Sequence, residues 1–252
     1  MPPPEEVPNP QLPIVQRLRI RYAKRGRLRF TSHRDFARAF ERAVRRAGVP
    51  IAFSSGYSPH PKISYAGASP TGASSEAEYL EIAVTRRCEP ARVRDALDAA
   101  LPDGLDLLEI VVGDPERGSL ADRLDASEWQ IRLPGVEPAE AAAAVDAFLA
   151  AREVEVERMT KKGVRTFDCR AAVASLSATS DADPDQPCAI LVMVVRQATP
   201  AVRPDDVLAG LRATAGLVPP VWPHANRAAQ GPLDERTGTV GDPFVLDRDA
   251  SR

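Results

Sequence analysis

Cysteine is scarce in this chain: three in 252 residues, Cys88, Cys169 and Cys188, odd in number and far apart. Such a set makes neither a disulfide framework nor a CxxC zinc pair, and it fits a reducing, cytoplasmic compartment. No apolar run approaches the roughly 20 residues of a membrane span. The opening Met1-Pro-Pro-Pro-Glu-Glu has no basic n-region and no apolar h-region, so no secretory signal is expected. There is no P-loop, no GxGxxG after a strand, no GxSxG and no HExxH, which removes the common nucleotide-binding, hydrolase and metalloprotease signatures. Nearby His, Cys, Asp and Glu residues do not fall at metal-ligand spacing, so neither metal nor cofactor is expected.

Acidic residues are missing from one particular stretch. Between Arg17 and Lys62 stand thirteen Lys/Arg against Asp35 and Glu41, a local charge of +11 in a protein of net charge −2. The rest of the chain therefore carries −13. A compact basic segment in an acidic protein points to a surface that meets an anion, most plausibly nucleic acid. Docking on an acidic partner, or on the chain's own acidic half, is the other reading of the same charge.

The periodicity predicts an α+β protein of two tandem ferredoxin-like (βαββαβ) units with disordered N- and C-terminal tails. Residues 1–15 are proline-rich and expected to be disordered. Over 16–112 a strand alternates Leu18, Ile20 and Tyr22 with Arg17, Arg19 and Arg21, so one of its faces is cationic. Leu28–Phe30 resumes an extended segment. Ser32 is placed to cap a helix running to about Ala47, with Phe36, Phe40, Ala43 and Val44 on the buried face and Gly48 at its end. Stretches around Ile51–Phe53 and Ile63–Tyr65 flank the Gly56–Lys62 loop, and strands over Glu78–Val84 and Leu105–Val112 with a helix over Glu89–Leu101 complete the first unit. Residues 113–127 form a linker. The second unit, 128–230, has strands over Glu128–Leu133, Val154–Met159, Thr166–Ala178, Ala189–Arg196 and Pro220–Arg227, with helices over Pro138–Ala151 and Pro204–Thr214. Residues 231–252 lack apolar periodicity and are expected to be a disordered tail.

Candidate anion-binding residues follow from this layout. Arg34, Arg38, Arg42 and Arg45, with Arg46 beside them, stripe the exposed side of the first helix with only Glu41 for relief, so the helix repels itself unless an anion meets it. Arg19, Arg21 and Lys24 add to them from the neighbouring strand. Ser32 and His33 stand at the helix N-terminus, where free N–H groups attract anions. In Gly56-Tyr57-Ser58-Pro59-His60-Pro61-Lys62 two prolines stiffen the loop around His60, and Tyr57 offers a face on which a base can stack. Lys161, Lys162 and Arg170 make a second basic patch that could complete a groove between the units. As an enzyme, the chain would use His60 or His33, with Lys62, as metal-free acid/base groups in RNA cleavage.

Several strings in this segment resemble a known family: Tyr22-Ala-Lys24-Arg-Gly26, Phe30-Thr-Ser32-His33-Arg-Asp35, Arg45-Arg46-Ala47-Gly48, Tyr57-Ser-Pro-His60-Pro-Lys62-Ile-Ser64 and Glu78-Tyr-Leu-Glu81. They resemble the radical SAM-associated (radical SAM-linked) proteins, a bacterial domain of unknown function. The likeness spans about residues 17–112 and runs more loosely through Lys162–Arg170 and Arg203-Pro204. This chain has Arg34 where family patterns usually have Leu, and Tyr57-Ser58 where they have Phe-Asn. The resemblance implies a bacterial protein that partners a radical SAM protein. A radical SAM enzyme itself needs a close CxxxCxxC triplet, which Cys88, Cys169 and Cys188 cannot supply. The expected function is thus a non-catalytic accessory that binds RNA for modification or processing by a separately encoded radical SAM partner. The alternatives are a metal-independent RNA-processing endonuclease and a protein-docking module.

Overall fold

The alternation of Leu18, Ile20 and Tyr22 becomes strand β1 (Gln16–Lys24) in a computed structural model that describes residues 9, 11–161, 163–181 and 188–250. The fold is mixed α+β, with mostly antiparallel sheet and five α-helices among the described residues. It divides into two units: unit 1 holds Met1–Thr71, Ala77–Asp122 and Phe244–Arg252, and unit 2 holds Gly72–Glu76 and Arg123–Pro243. No helix among the described residues is long and apolar enough to cross a membrane.

In unit 1, β1 is followed by α1 (His33–Arg46), β2 (Ile63–Ala66), β3 (Ser74–Val84), α2 (Pro90–Asp98) and β4 (Leu107–Gly113). The strands lie in the order β4-β1-β3-β2, with β1 antiparallel to β4 and β2 antiparallel to β3. Leu18, Ile20 and Tyr22 pack with Phe36 and Phe40 of α1 and with Leu80, Ile82 and Leu97. The Tyr22 and Phe36 rings stack at 4.4 Å. Burying one such side chain stabilises by about 1.5–3 kcal/mol, which is why the helix orients this face inward. Leu28–Phe30 is not extended, because Gly26–Phe30 closes as a 3-10 turn with Gly26 at φ 54°. Ile51 and Phe53 form only single bridges, to Val84 and Pro61.

Unit 2 contains β5 (Ala126–Pro134), α3 (Pro138–Ala150), β6 (Glu155–Thr160), β7 (Gly163–Asp168), β8 (Val173–Ser180), β9 (Cys188–Arg196), α4 (Pro204–Ala215) and β10 (His224–Gly231). Its sheet runs β10-β5-β9-β8, and the first residues of β3, Ser74 and Ser75, pair with β10. The single strand expected over Thr166–Ala178 is two. Asp168 accepts hydrogen bonds from the backbone N–H groups of Val154, Arg170 and Ala171, and the turn it makes separates β7 from β8. β6 and β7 then pair with each other as a separate hairpin. Cys169 is fully buried in this core, and burial pushes its thiol up to about 12.

The disordered tail expected over 231–252 is overturned for the residues described. The chain continues through β11 (Leu233–Asp234) and β12 (Thr239–Val240) in unit 2, then ends in α5 (Val245–Ala250) in unit 1. Phe244 and Asp247 are fully buried, and the Phe244 ring meets Tyr79 edge-on at 5.4 Å. Arg248 grips both carboxylate oxygens of Glu109 at 2.7 Å. One aromatic and two charges hold this segment, so it needs no apolar period. At the other end of the chain, Val15 N–H donates to Val84 O at 2.9 Å, while residues 1–8 and 10 of the expected disordered segment lie outside the described residues. The expected linker 113–127 overlaps β4 at Gly113 and β5 from Ala126, and it buries Leu120 and Leu124.

Candidate nucleic-acid interface

Helix α1 positions the basic stripe. Its N-cap is Ser32, whose Oγ accepts from Asp35 N–H at 3.2 Å and donates to Asp35 Oδ2 at 2.6 Å. Such a cap contributes roughly 1 kcal/mol. Phe36, Phe40, Ala43 and Val44 are buried, so the helix cannot roll, and Arg34, Arg38, Arg42 and Arg45 are held in solvent on the remaining surface. Arg45 reaches Glu41 at 3.9 Å. Among the described residues, no carboxylate pairs with Arg34, Arg38 or Arg42. Arg46, also exposed, donates from Nη1 to Ala100 O at 3.3 Å. His33 is exposed at the first turn, and its ring meets Tyr65 of β2 edge-on at 4.8 Å. Burial, and secondarily the charge of Glu41, raises the Tyr65 pKa, so this side chain stays a neutral phenol.

The loop after α1 is pinned at its base. Phe53 bridges Pro61, Ser54 N–H donates to His60 O at 2.9 Å, and His60 N–H donates to Ser54 Oγ at 3.0 Å. Gly56 takes φ 108°, which a side chain would resist. The result presents His60 to solvent and leaves Tyr57 91% exposed. A tyrosine that exposed buries almost nothing in its own fold, so its ring is available to a ligand. Lys62 is half-buried at the end of the loop.

Other expected residues are placed differently. Arg19 is 1% exposed and is corrected from anion binder to core ion pair: Nε donates to Glu81 at 3.0 Å and Nη1 to both oxygens of Asp247 at 2.8 and 2.9 Å. Desolvation works against its charge, but the hydrogen bonds to Glu81 and Asp247 outweigh it and raise the pKa. Gly113 is what makes room, since a Cβ there would stand 2.9 Å from Arg19 Nε. The cationic face expected on β1 is thereby neutralised, for Arg17 also bonds Glu81, at 2.7 Å. Lys24 is buried and lies 3.5 Å from Pro70 O, so it too is withdrawn from the surface, and Arg21 is half-buried. In unit 2, Lys161 is exposed at the β6–β7 turn and Lys162 lies outside the described residues. Arg170 donates to the carbonyls of Val173 and Leu149 and packs near the Phe148 ring, which is a structural task.

The structure adds residues the periodicity did not single out. Arg29 lies 4.6 Å from the centroid of the exposed Phe30 ring. Beyond the C-terminal end of α1, a depression of 440 Å³ is lined by Ala47–Pro50 and by Arg86, Arg87, Glu89 and Arg92, the last 3.9 Å from Glu89. Arg86 and Arg87 follow β3 directly, so only the return of that strand beside α1 adds them to the basic side. The Arg-Arg pair itself was the available signal.

A family model described as "Uncharacterized protein conserved in bacteria (DUF2344)" matches residues 17–204. No curated protein matches the chain. Among solved structures, one described as the "Crystal Structure of an Unknown Protein from Galdieria sulphuraria" is 15% identical, covering 84% of this chain and 98% of that one at a TM-score of 0.23.

Proposed function

This chain belongs to the bacterial DUF2344 family of uncharacterized proteins, and we propose that its unit 1 binds RNA along α1. One observation carries this reading: Arg34, Arg38 and Arg42 stand exposed, one turn apart, on a helix locked by its apolar face, with no carboxylate paired to them among the described residues. Unrelieved like charges on one helix destabilise it by a few tenths of a kcal/mol per pair. A phosphate backbone supplies the missing counter-charge. The stiff loop adds Tyr57 as a stacking face and His60 as a polar reader beside it in sequence.

The fold and partner belong to the same proposal. The element order β1-α1-β2-β3-α2-β4 with strands β4-β1-β3-β2 supports a ferredoxin-like reading of unit 1. The order β10-β5-β9-β8 supports the same for unit 2, with the β6–β7 hairpin as an insertion. The role we assign is a non-catalytic cytoplasmic accessory that presents RNA to a radical SAM protein. The partner rests on the resemblance carried by the strings between Tyr22 and Glu81 alone.

Replacing Arg38, Arg42 and Arg45 together with Glu tests the interface. The variant should keep its thermal midpoint and lose retention of total cellular RNA in a filter assay. Unchanged, salt-insensitive retention would overturn the reading. Incubating the wild type with the same RNA in EDTA tests the accessory role: intact RNA is expected, whereas His60-dependent fragments would establish the endonuclease instead.

A further inference from the structure

We infer that β8 of unit 2 is a homotypic docking edge that pairs with β8 of a second copy of this chain. β8 ends the sheet order β10-β5-β9-β8, so its only strand partner among the described residues is β9. Along its other edge, every second residue turns an N–H and a C=O away from the sheet. Sheet proteins ordinarily blunt such an edge with lysine, proline, an inward charge, a bulge or brevity. Val173–Ser180 keeps a bulge only at its first residues: the eight residues, VASLSATS, carry neither a charge nor a proline. A bulge between Val173 and Ser175 marks its start, and beyond that the pairing with β9 runs unbroken to Ser180.

The sequence of this edge says what it fits. Ala174-Ser175-Leu176-Ser177-Ala178 reads the same in both directions. Antiparallel pairing about a twofold axis at Leu176 therefore sets Ser175 opposite Ser177 and Ala174 opposite Ala178 on each side, like facing like. Leu176 is buried while Ser175 and Ser177 are exposed, so the pair would keep its apolar side continuous with the core and its hydroxyl side in water. Serine opposite serine is a favourable cross-strand pair. A charged or irregular partner would match this edge less well than the edge matches itself, and isologous pairing closes at a dimer rather than growing into a fibre.

Sedimentation equilibrium of the full chain over a concentration series tests this, with three chains: wild type, Ser175→Lys/Ser177→Lys and Ser175→Glu/Ser177→Glu. The wild type should approach twice the monomer mass with rising concentration. Each charged variant should remain monomeric, because the pairing sets like charges opposite one another, and an equimolar mixture of the two should recover the dimer. Amide exchange of the wild type, which needs no variant to fold, should slow in residues 174–179 as concentration rises. A wild type monomeric at every concentration would overturn the inference. So would a dimer untouched by the substitutions, a mixture that stays monomeric, or exchange at β8 that ignores concentration.

Discussion

Two sets of arginines, one on β1 and one on α1, meet opposite fates within thirty residues of chain. Arg17 and Arg19 bond Glu81, and Arg19 also bonds Asp247, so the charges of β1 are spent inside unit 1. Arg34, Arg38 and Arg42 stand in solvent, without a carboxylate partner among the described residues. Residue type is the same in the two places. What differs is whether tertiary structure delivers an acid. A basic segment is therefore not a basic surface, and counting charges along a sequence overstates the area open to a polyanion.

The largest expected effect breaks the β1 side. Asp247→Ala would leave buried Arg19 with Glu81 as its one remaining carboxylate among the described residues, and should cost unit 1 about 3–5 kcal/mol, read as a lower urea midpoint. RNA retention by the folded fraction should be unchanged, because Arg19 is buried. A variant that stays stable but loses RNA would reverse the assignment of the two sets. Next in size is Tyr57→Ala. At 91% exposure the ring contributes nothing to packing, so stability should hold while affinity for single-stranded RNA falls by about 1–3 kcal/mol, the usual range for one lost base stack. Equal affinity would confine recognition to α1.

Single replacements on α1 should act more gently and evenly. Arg34→Ala, Arg38→Ala and Arg42→Ala should each weaken binding to unrelated RNA sequences alike and lower the slope of log affinity against log salt by about 1. Their unfolding free energies should stay within about 0.5 kcal/mol of wild type. The smallest effect is expected from Arg17→Ala. Its pair with Glu81 is partly exposed, at 39% on the arginine side, so the loss should be about 0–1 kcal/mol of stability. A larger loss would mean that Arg17 holds Glu81 in place for Arg19.

How much of this was legible in the sequence follows the range of each interaction. Helix α1 could be read closely because its signals are local: the Ser32 cap, Asp35 three residues on, and a 3.6-residue period in Phe36, Phe40, Ala43 and Val44. The loop around His60 was legible through its prolines. The fate of Arg19 was not, since Glu81 lies 62 residues away and Asp247 lies 228 away. The final helix was missed for the same reason, being fastened by Phe244, Asp247 and Arg248 without any repeating pattern. The break between β7 and β8 did have a local signal, an Asp168 that caps a turn, but the expected strand ran through it from Thr166 to Ala178.

The return of α5 has a consequence for how the protein is made. Unit 1 is built from both flanks of unit 2, so during translation its N-terminal elements leave the ribosome long before Asp247 exists to answer Arg19. Domains generally fold in order of synthesis. Here unit 2 can finish first, while Arg19 on β1 has Glu81 but not yet Asp247 to answer its charge. A stalled or nicked chain that stops at Pro243 would carry an intact second unit and an incomplete first one, and quality-control proteases would find the fault at the amino end although the missing piece lies at the carboxyl end.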